Sequence, residues 1–223
     1  MIVAAILMQN KKLNMGEIII KEKVFNINEI ELTYENAQVL DSTIAKNNLL
    51  DFKKVLDEQK ITFLIMHGTL LGAVRDNCFI KHDIDIDTCT YNEKKLIESI
   101  PLLDKVGLKL CRYEPNIIYS FIRDNVYIDV YIVNKLQGLI RPFYVRYLTH
   151  IIPRKYFRHP KKMFFLDVEF NIPNHSLDLL EFWYDPDWKK PISNCPSNDQ
   201  DPKGSYLEKN KRFLFRPFYK IIK

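Results

Sequence analysis

Apolar and polar residues follow two different periods along this chain, and each change of period marks the end of a predicted element. Apolar residues three to four positions apart predict helices, whereas strict alternation or a short apolar run predicts strands. The predicted helices cover residues 34–60, 69–77 and 92–107, and the predicted strands cover 61–68, 83–91 and one or two short segments within 17–33. Residues 116–133 predict a hairpin that turns at Asp124–Asn125.

The order of these helices and strands indicates a mixed α/β fold. A chain of 223 residues with 47% hydrophobic side chains is long enough for one substantial core. No internal repeat or low-complexity linker divides the sequence, so we expect a single domain over residues 1–223.

The first eight residues are apolar but too few to span a bilayer, which takes roughly 20 residues. They also lack the basic segment and cleavage site of a secretory signal, and are interpreted as a buried strand or an extension before Met15. The four cysteines form no CxxC pair, which argues against a zinc site or a disulfide framework. We therefore expect a cytoplasmic protein.

The formal net charge of +5 is modest and does not by itself indicate a nucleic-acid partner. Basic residues are concentrated in the segment Arg154–Lys162 and in the tail Lys209–Lys223, which has six Lys or Arg residues among aromatic ones. Each segment is either a solvated basic face or a surface for phosphates and anionic lipid headgroups. The second interpretation predicts salt-sensitive, peripheral contact with the inner face of a membrane.

Three aspartates, Asp83, Asp85 and Asp87, alternate with isoleucines. On a strand their side chains share one face, where like charges repel each other unless a cation neutralises them. An exposed strand edge kept soluble by charge is one interpretation, but it explains neither the preceding glycine turn nor a fourth acid downstream. A site for Mg²⁺ or Mn²⁺, which prefer oxygen ligands, accounts for both.

The fourth acid, Asp129, lies in an apolar, β-branched and aromatic run, although aspartate is a poor strand former. One interpretation is a buried ion pair with an arginine such as Arg123. The other places this strand beside the strand at 83–87, so that Asp129 completes a carboxylate cluster.

The glycine-rich stretch at 67–73, HGTLLGA, predicts the complementary part of such a site. A helix that begins just after Gly68 would leave free backbone N–H groups for a phosphate, and Thr69 would add a hydroxyl. The missing side chain at Gly72 would let this helix lie tightly on the sheet. His67 is not assigned a catalytic role.

Taken together, these residues resemble the signature of the LicD family, which includes bacterial phosphocholine transferases and fukutin-type proteins. The stretch HGTLLGAVRDNCFIKHDIDID is similar to the family's glycine turn, arginine and paired aspartates. A later stretch, IPNHSLDLLEFWYDPDWKKP, is similar to its V-P element, leucine-rich helix and Tyr-Gly-x-Trp segment. The two matches span about residues 60–192, in the family's order. Ile84 departs from the pattern, because it stands where the family has the middle aspartate of D-D-D.

The resemblance implies a nucleotidyltransferase-like fold, a mixed sheet flanked by helices, with a catalytic core at about residues 36–192 and the basic tail at 209–223. It also implies a reaction: a substituted phosphate, such as phosphocholine or an alditol or glycerol phosphate, moves from a CDP-activated donor to a hydroxyl of a glycan or lipid-linked glycan.

The resemblance also assigns roles by position. Asp85, Asp87 and Asp129 would be catalytic and would hold Mg²⁺ or Mn²⁺, and Asp83 would be an accessory carboxylate. The residues assigned to the donor phosphate are Gly68, Thr69 and Arg75.

Two other functions use the same features. In the first, an NMP group is transferred from an NTP to a small molecule or protein and pyrophosphate leaves. In the second, the chain is a catalytically silent binding module of a glycan-assembly complex, although retention of three carboxylates speaks against it. Trp183, Tyr184 and Trp188 are interpreted as packing residues.

Overall fold

The structure is a computed structural model that describes residues 15–28, 38–139, 142–184 and 186–191. Its strands are β1 (Met15–Ile20), β2 (Lys23–Asn28), β3 (Phe63–Ile65), β4 (Asp85–Thr90), β5 (Lys109–Glu114), β6 (Ile118–Arg123), β7 (Val126–Lys135), β8 (Tyr144–Tyr147), β9 (His150–Pro153), β10 (Lys161–Phe165) and β11 (Val168–Ile172). Its helices are α1 (Ser42–Glu58), α2 (His67–Asp76), α3 (Glu93–Lys105) and α4 (Ser176–Tyr184), with a 3₁₀ turn at Arg154–Tyr156.

A mixed sheet organises the chain, with strand order β3-β4-β7-β6-β5 and with β8 pairing both β7 and β9. Strands β4 and β7 are parallel, whereas the other pairs are antiparallel. The hairpins β1–β2 and β10–β11 form two separate two-stranded sheets. The predicted mixed α/β fold, a mixed sheet flanked by helices, is confirmed.

One face of this sheet carries the main core. Alternate residues of β7, including Ile128 and Val130, lie on this face with Ile86 of β4, and all three are fully buried. Helix α1 covers them with Leu49 and Phe52, while α3 packs beside α1 and against β5. Burial of apolar surface stabilises a fold by about 25 cal/mol per Å². The packing on this face is therefore the main source of stability for the sheet.

Local signals explain how the elements begin and turn. Asp41 caps α1, since its Oδ1 accepts the N–H groups of Thr43 and Ile44 at 2.8 and 3.0 Å. Asn92 caps α3 in the predicted way, with Oδ1 accepting the Lys95 N–H at 3.3 Å. The predicted hairpin is also confirmed, because Asp124 and Asn125 have φ of 51° and 60°, as a two-residue turn between twisted strands requires.

The opposite sheet face is divided between two environments. Toward the carboxyl ends of β4 and β7 it carries a second apolar cluster, which includes Cys89, Val133 and Tyr147 and is covered by β8, β9 and α4. Toward their amino ends the same face carries aspartates. Trp183 packs on the second cluster, while Trp188 and Tyr184 pack with the main core, so the packing interpretation of these residues is confirmed.

Several details differ from the sequence predictions. Helix α2 begins at His67 rather than after Gly68, and β4 begins at Asp85, so Asp83 precedes the strand. A Cβ at Gly72 would overlap the Cys78 carbonyl oxygen, so Gly72 brings α2 onto the loop before β4 rather than onto the sheet.

Other predictions fall at the limits of the described chain. Cys78, Cys89 and Cys111 are free thiols, whereas Cys195, residues 1–14 and the basic tail at 209–223 lie outside the described residues. Within the described ranges, no helix is both long and apolar enough to cross a membrane.

Replacement of Phe52 tests the main core. Its ring is fully buried and meets the rings of Phe63 and Phe121 at centroid distances of 5.3 and 6.3 Å. Phe52→Ala should lower the free energy of unfolding by about 3–5 kcal/mol, measured by urea denaturation, because it leaves a cavity. Ile19→Ala, at a side chain that is 69% exposed, should change it by less than about 0.5 kcal/mol. A similar loss in both variants would contradict this account of the core.

Candidate active site

Two neighbouring strands bring the predicted aspartates together. In the parallel pairing of β4 with β7, Asp87 lies directly opposite Asp129, and Asp85 precedes it by two residues on the same face. Both Asp87 and Asp129 are buried, with 6% and 5% exposure. The sequence-based placement of Asp129 beside the acidic strand is confirmed. The alternative of an Asp129–Arg123 pair is not, because Arg123 contacts Asp51 at 2.8 Å and Asn48 at 2.7 Å.

Asp83 joins this cluster from the loop before β4 rather than from the strand itself. Its backbone is fixed by hydrogen bonds from the Leu40 N–H to its carbonyl oxygen, at 2.9 Å, and from its own N–H to Ile80. A Cβ at Gly68 would lie 2.5 Å from the Asp83 Oδ2 atom. The missing side chain at Gly68 therefore makes room for a carboxylate, which is a different use of this glycine from the predicted approach of a phosphate.

The N-terminus of α2 holds Asp87 in place. The Gly68 N–H donates to Asp87 Oδ2 at 3.0 Å, and the Asp87 N–H donates to Thr69 Oγ1 at 2.9 Å. The Met66 N–H also donates to the Asp87 carbonyl oxygen at 2.9 Å. The Gly68 N–H, predicted to be free for a phosphate, is thus engaged by a carboxylate of the site, and the buried Thr69 positions the same residue.

Burial of like charges perturbs every acid in the cluster. Burial raises the pKa of Asp85 and of Asp87 well above the ordinary range, and neighbouring carboxylates raise both further. Burial likewise raises the pKa of Asp129, against the opposing charge of Arg112. Burial raises the pKa of Asp83 from 3.8 to about 6. The oxygens Asp83 Oδ2 and Asp129 Oδ1 are buried without a hydrogen-bond partner.

The donor set fits a hard divalent cation, because it consists of carboxylate oxygens that lie close together and are short of partners. A cation there would satisfy the two buried oxygens and offset the mutual repulsion. Within the described ranges, however, no three His, Cys, Asp or Glu side chains are placed so that together they could hold a metal ion. Mg²⁺ or Mn²⁺ at Asp85, Asp87 and Asp129 therefore stays a prediction.

Two arginines bear on the predicted phosphate contacts. Arg75 lies two helical turns from Gly68, roughly 10 Å along the axis of α2, and pairs with Asp76 at 2.7 Å. Arg112, which sequence analysis missed, lies on the same sheet face as the acids, since the register runs from Asp129 to Ser120 to Arg112. A β-bulge between Leu110 and Arg112 interrupts strand alternation, so spacing alone gives no signal for this face.

An aromatic wall borders the acids on the other side, formed by His67, Tyr131, Tyr147 and Trp183. The His67 ring stacks on Trp183 at 4.3 Å and its Nε2 lies 2.8 Å from the Tyr147 hydroxyl. Burial lowers the pKa of His67 to about 4, so this ring is neutral at pH 7. Its structural role agrees with the sequence interpretation.

Tyr131 connects the aromatic wall to the acids and was also missed by sequence analysis. Its ring meets His67 edge-on at 5.2 Å. Burial and then the charges of Asp87, Asp129 and Asp85 raise its pKa well above 10.0. The detectable signal was its position two residues after Asp129, which puts both side chains on one strand face.

Comparison with protein families gives a match over residues 60–184 to the family described as LicD/FKTN/FKRP, nucleotidyltransferase domain. A search of curated proteins gives no match. Among solved structures, ANT(2'')-Ia in complex with adenylyl-2''-tobramycin aligns with a TM-score of 0.51 and 14% identity, covering 79% of this chain and 99% of that one. The lincosamide antibiotic adenylyltransferase LnuA, bound to lincomycin, aligns at 0.46 and 12% identity over 60% of this chain and 84% of that one. The ANT(2'')-Ia alignment shows a nucleotidyltransferase-type fold.

The raised pKa of Asp83 predicts that stability depends on pH. Because the folded-state pKa of about 6 exceeds the ordinary 3.8, the folded protein binds more protons between these values. Without divalent cations, Asp83 alone should lower the free energy of unfolding by about 1–3 kcal/mol as pH rises from 4 to 7, and the raised pKa values of the other three acids should add to this fall. Asp83→Asn should reduce this fall by removing the Asp83 contribution, whereas Asp124→Asn, in the exposed turn, should not. Equal slopes in the wild type and Asp83→Asn, measured by urea denaturation in EDTA, would contradict the assignment.

Proposed function

The chain belongs to the LicD/FKTN/FKRP nucleotidyltransferase domain family, which matches residues 60–184, and on this premise we propose that it transfers a substituted phosphate from a CDP-activated donor to a hydroxyl. The observation that carries the proposal is the pairing of Asp87 with Asp129 across β4 and β7, beside the N-terminus of α2. Membership of this family supports a phosphotransferase-like role.

The acids would hold a divalent cation. Asp85, Asp87 and Asp129 supply hard oxygen ligands, and Asp83 adds a carboxylate from the preceding loop. When bound, Mg²⁺ or Mn²⁺ would neutralise phosphate charge near the reacting atoms. The Gly68 N–H and the partial positive charge at the N-terminus of α2 oppose the rise in the pKa of Asp87 that burial causes.

Asp129 is the proposed general base. In the reaction the acceptor hydroxyl oxygen forms a bond to the distal phosphorus of the donor, the bond from that phosphorus to the bridging oxygen breaks, and CMP leaves with the electron pair. The hydroxyl proton passes to Asp129. Burial raises the pKa of this carboxyl toward the range in which a base works best at neutral pH.

Positive groups on either side of the acids fit a diphosphate. Arg112 faces the cluster from β5, where its Nε donates to Glu114 Oε1 at 2.8 Å and its Nη2 donates to the same oxygen, so a phosphate would replace Glu114 or bind the remaining N–H groups of the 35% exposed side chain. A guanidinium binds phosphate oxygens through two parallel hydrogen bonds. The Arg75 Nε donates to Asp76 Oδ2 at 2.8 Å. Arg75 would therefore have to release Asp76 before it could bind the donor phosphate.

The proposed acceptor is a hydroxyl of a glycan or lipid-linked glycan. The aromatic wall beside Asp87 offers flat, apolar surfaces of the kind on which sugar rings stack. Transfer of an NMP group from an NTP to a small molecule is the second candidate. It is supported by the fold likeness to ANT(2'')-Ia, whose structure contains adenylyl-2''-tobramycin.

The leaving group distinguishes the two candidates. The chain should release CMP from at least one of CDP-choline, CDP-glycerol or CDP-ribitol, with Mg²⁺ or Mn²⁺ present, as measured by mass spectrometry. Asp87→Asn should abolish this release, because it removes a buried ligand, and its melting temperature should not fall, because repulsion is relieved. Release of pyrophosphate from an NTP, without CMP from any donor, would support NMP transfer instead.

Asp129→Asn tests the general base. It should lower kcat by at least about a hundredfold, because a well-placed base contributes that much or more. Asp124→Asn, which removes the same charge from an exposed turn of the same hairpin, should leave kcat unchanged. If Asp129→Asn instead folds poorly while its folded fraction keeps normal specific activity, the residue is structural.

A further inference from the structure

A second polar group lies on the β4 face, away from the carboxylates. Asp85, Asp87, Cys89 and Tyr91 alternate along this strand and its end, so they share one side. At about 3.3 Å per residue, Tyr91 lies about 13 Å beyond Asp87. The intervening space is occupied by the second apolar cluster, which separates the two polar regions.

Two arginines reach Tyr91 from the turn that follows β9. Arg154 and Arg158 are one helical turn apart, and the Arg158 N–H donates to the Arg154 carbonyl oxygen at 3.1 Å. Residues four positions apart on such a turn project to the same side. Phe157, between them, meets the Tyr91 ring edge-on at 6.2 Å and fixes the turn against β4.

This group has donors without acceptors. The Arg154 side chain donates toward the Tyr91 hydroxyl oxygen, while the Tyr91 O–H and the Arg154 Nε–H are shielded from solvent and have no acceptor within the described residues. Buried polar groups in folded proteins nearly always have a partner, so two orphan donors side by side need an explanation. Arg154 and Arg158 lie near enough to Tyr91 for their charges to oppose the rise in its pKa that burial causes.

The charge of the two arginines is also not offset locally. In the described part of the chain, neither guanidinium has a carboxylate oxygen within 4.0 Å. The nearby acid Asp178 lies 3.8 Å from Lys155 and from His175 instead. Unpaired guanidinium groups beside a hydroxyl donor are the arrangement that binds tetrahedral oxyanions.

We propose that Tyr91, Arg154 and Arg158 form a phosphate-binding site that is separate from the catalytic carboxylates. Its ligand is a phosphate group, either of a soluble molecule or of a lipid headgroup. The site includes Arg154 and Arg158 of the basic segment Arg154–Lys162. Sequence analysis interpreted this segment either as a solvated basic face or as a surface for phosphates. It does not depend on which group the enzyme transfers.

Titration with inorganic phosphate tests the site directly. Calorimetry on the full chain at low salt, without divalent cations, should show phosphate binding that Arg154→Gln and Arg158→Gln each weaken at least about tenfold. Tyr91→Phe should weaken binding about three- to tenfold, because it removes one neutral donor. Arg146→Gln removes the same charge from an exposed position on β8 and should have no effect.

The source of the phosphate follows from a second measurement with the same variants. Flotation with vesicles of phosphatidylcholine, with and without phosphatidylglycerol, shows whether the arginine variants lose membrane binding that Arg146→Gln retains. A loss identifies a headgroup phosphate, whereas unchanged flotation with weakened phosphate binding identifies a soluble one.

Equal phosphate affinity in the wild type, both arginine variants and Arg146→Gln would overturn the proposal. Thermal melting checks that each variant is folded. If Arg154→Gln does not fold, the exposed Arg158 still decides the outcome through Arg158→Gln.

Discussion

The repulsion among four carboxylates, two of them buried and two half-buried, is the constraint around which this structure is arranged. Like charges at such close range are unfavourable in a medium that excludes water, and each raises the pKa of its neighbours. The acids persist there because the opposite face of the same strands is held by a large apolar core. The stability of the main core thus fixes the positions of side chains that would otherwise separate.

Helix α2 links that constraint to the sequence. Its first turn donates a backbone N–H to Asp87 and accepts the Asp87 N–H through Thr69, so one residue is held from two directions. Gly68 serves both purposes at once, because its N–H holds Asp87 while its missing side chain admits Asp83. Gly68, Thr69 and Asp87, which the sequence analysis assigned to separate phosphate and metal motifs, are therefore joined in one hydrogen-bonded unit.

The sequence predicts the parts of the molecule that depend on local patterns. The capped helix α3, the turn at Asp124–Asn125 and the proximity of Asp129 to β4 follow from spacing and residue type. The β10–β11 hairpin was missed because its turn uses Leu166–Asp167, with φ of 55° and 68°, rather than asparagine or glycine. Arg112 could not be placed, since its position relative to the acids depends on a bulge and on pairing across three strands.

The electrostatic character of the β4 face that carries the acids changes along the strand. Carboxylates occupy the amino end, neutral aromatic rings the middle, and the arginines beside Tyr91 the far end. Burial keeps the His67 imidazole neutral, so this ring, which lies between the carboxylates and the arginines, adds no positive charge beside the carboxylates. The apolar middle is covered by β8, β9 and α4, so it separates the arginines from the carboxylates by about 13 Å of strand. At that separation the arginines do little to relieve the repulsion among the carboxylates, which therefore depends on the groups nearest to them, the N-terminus of α2 and Arg112.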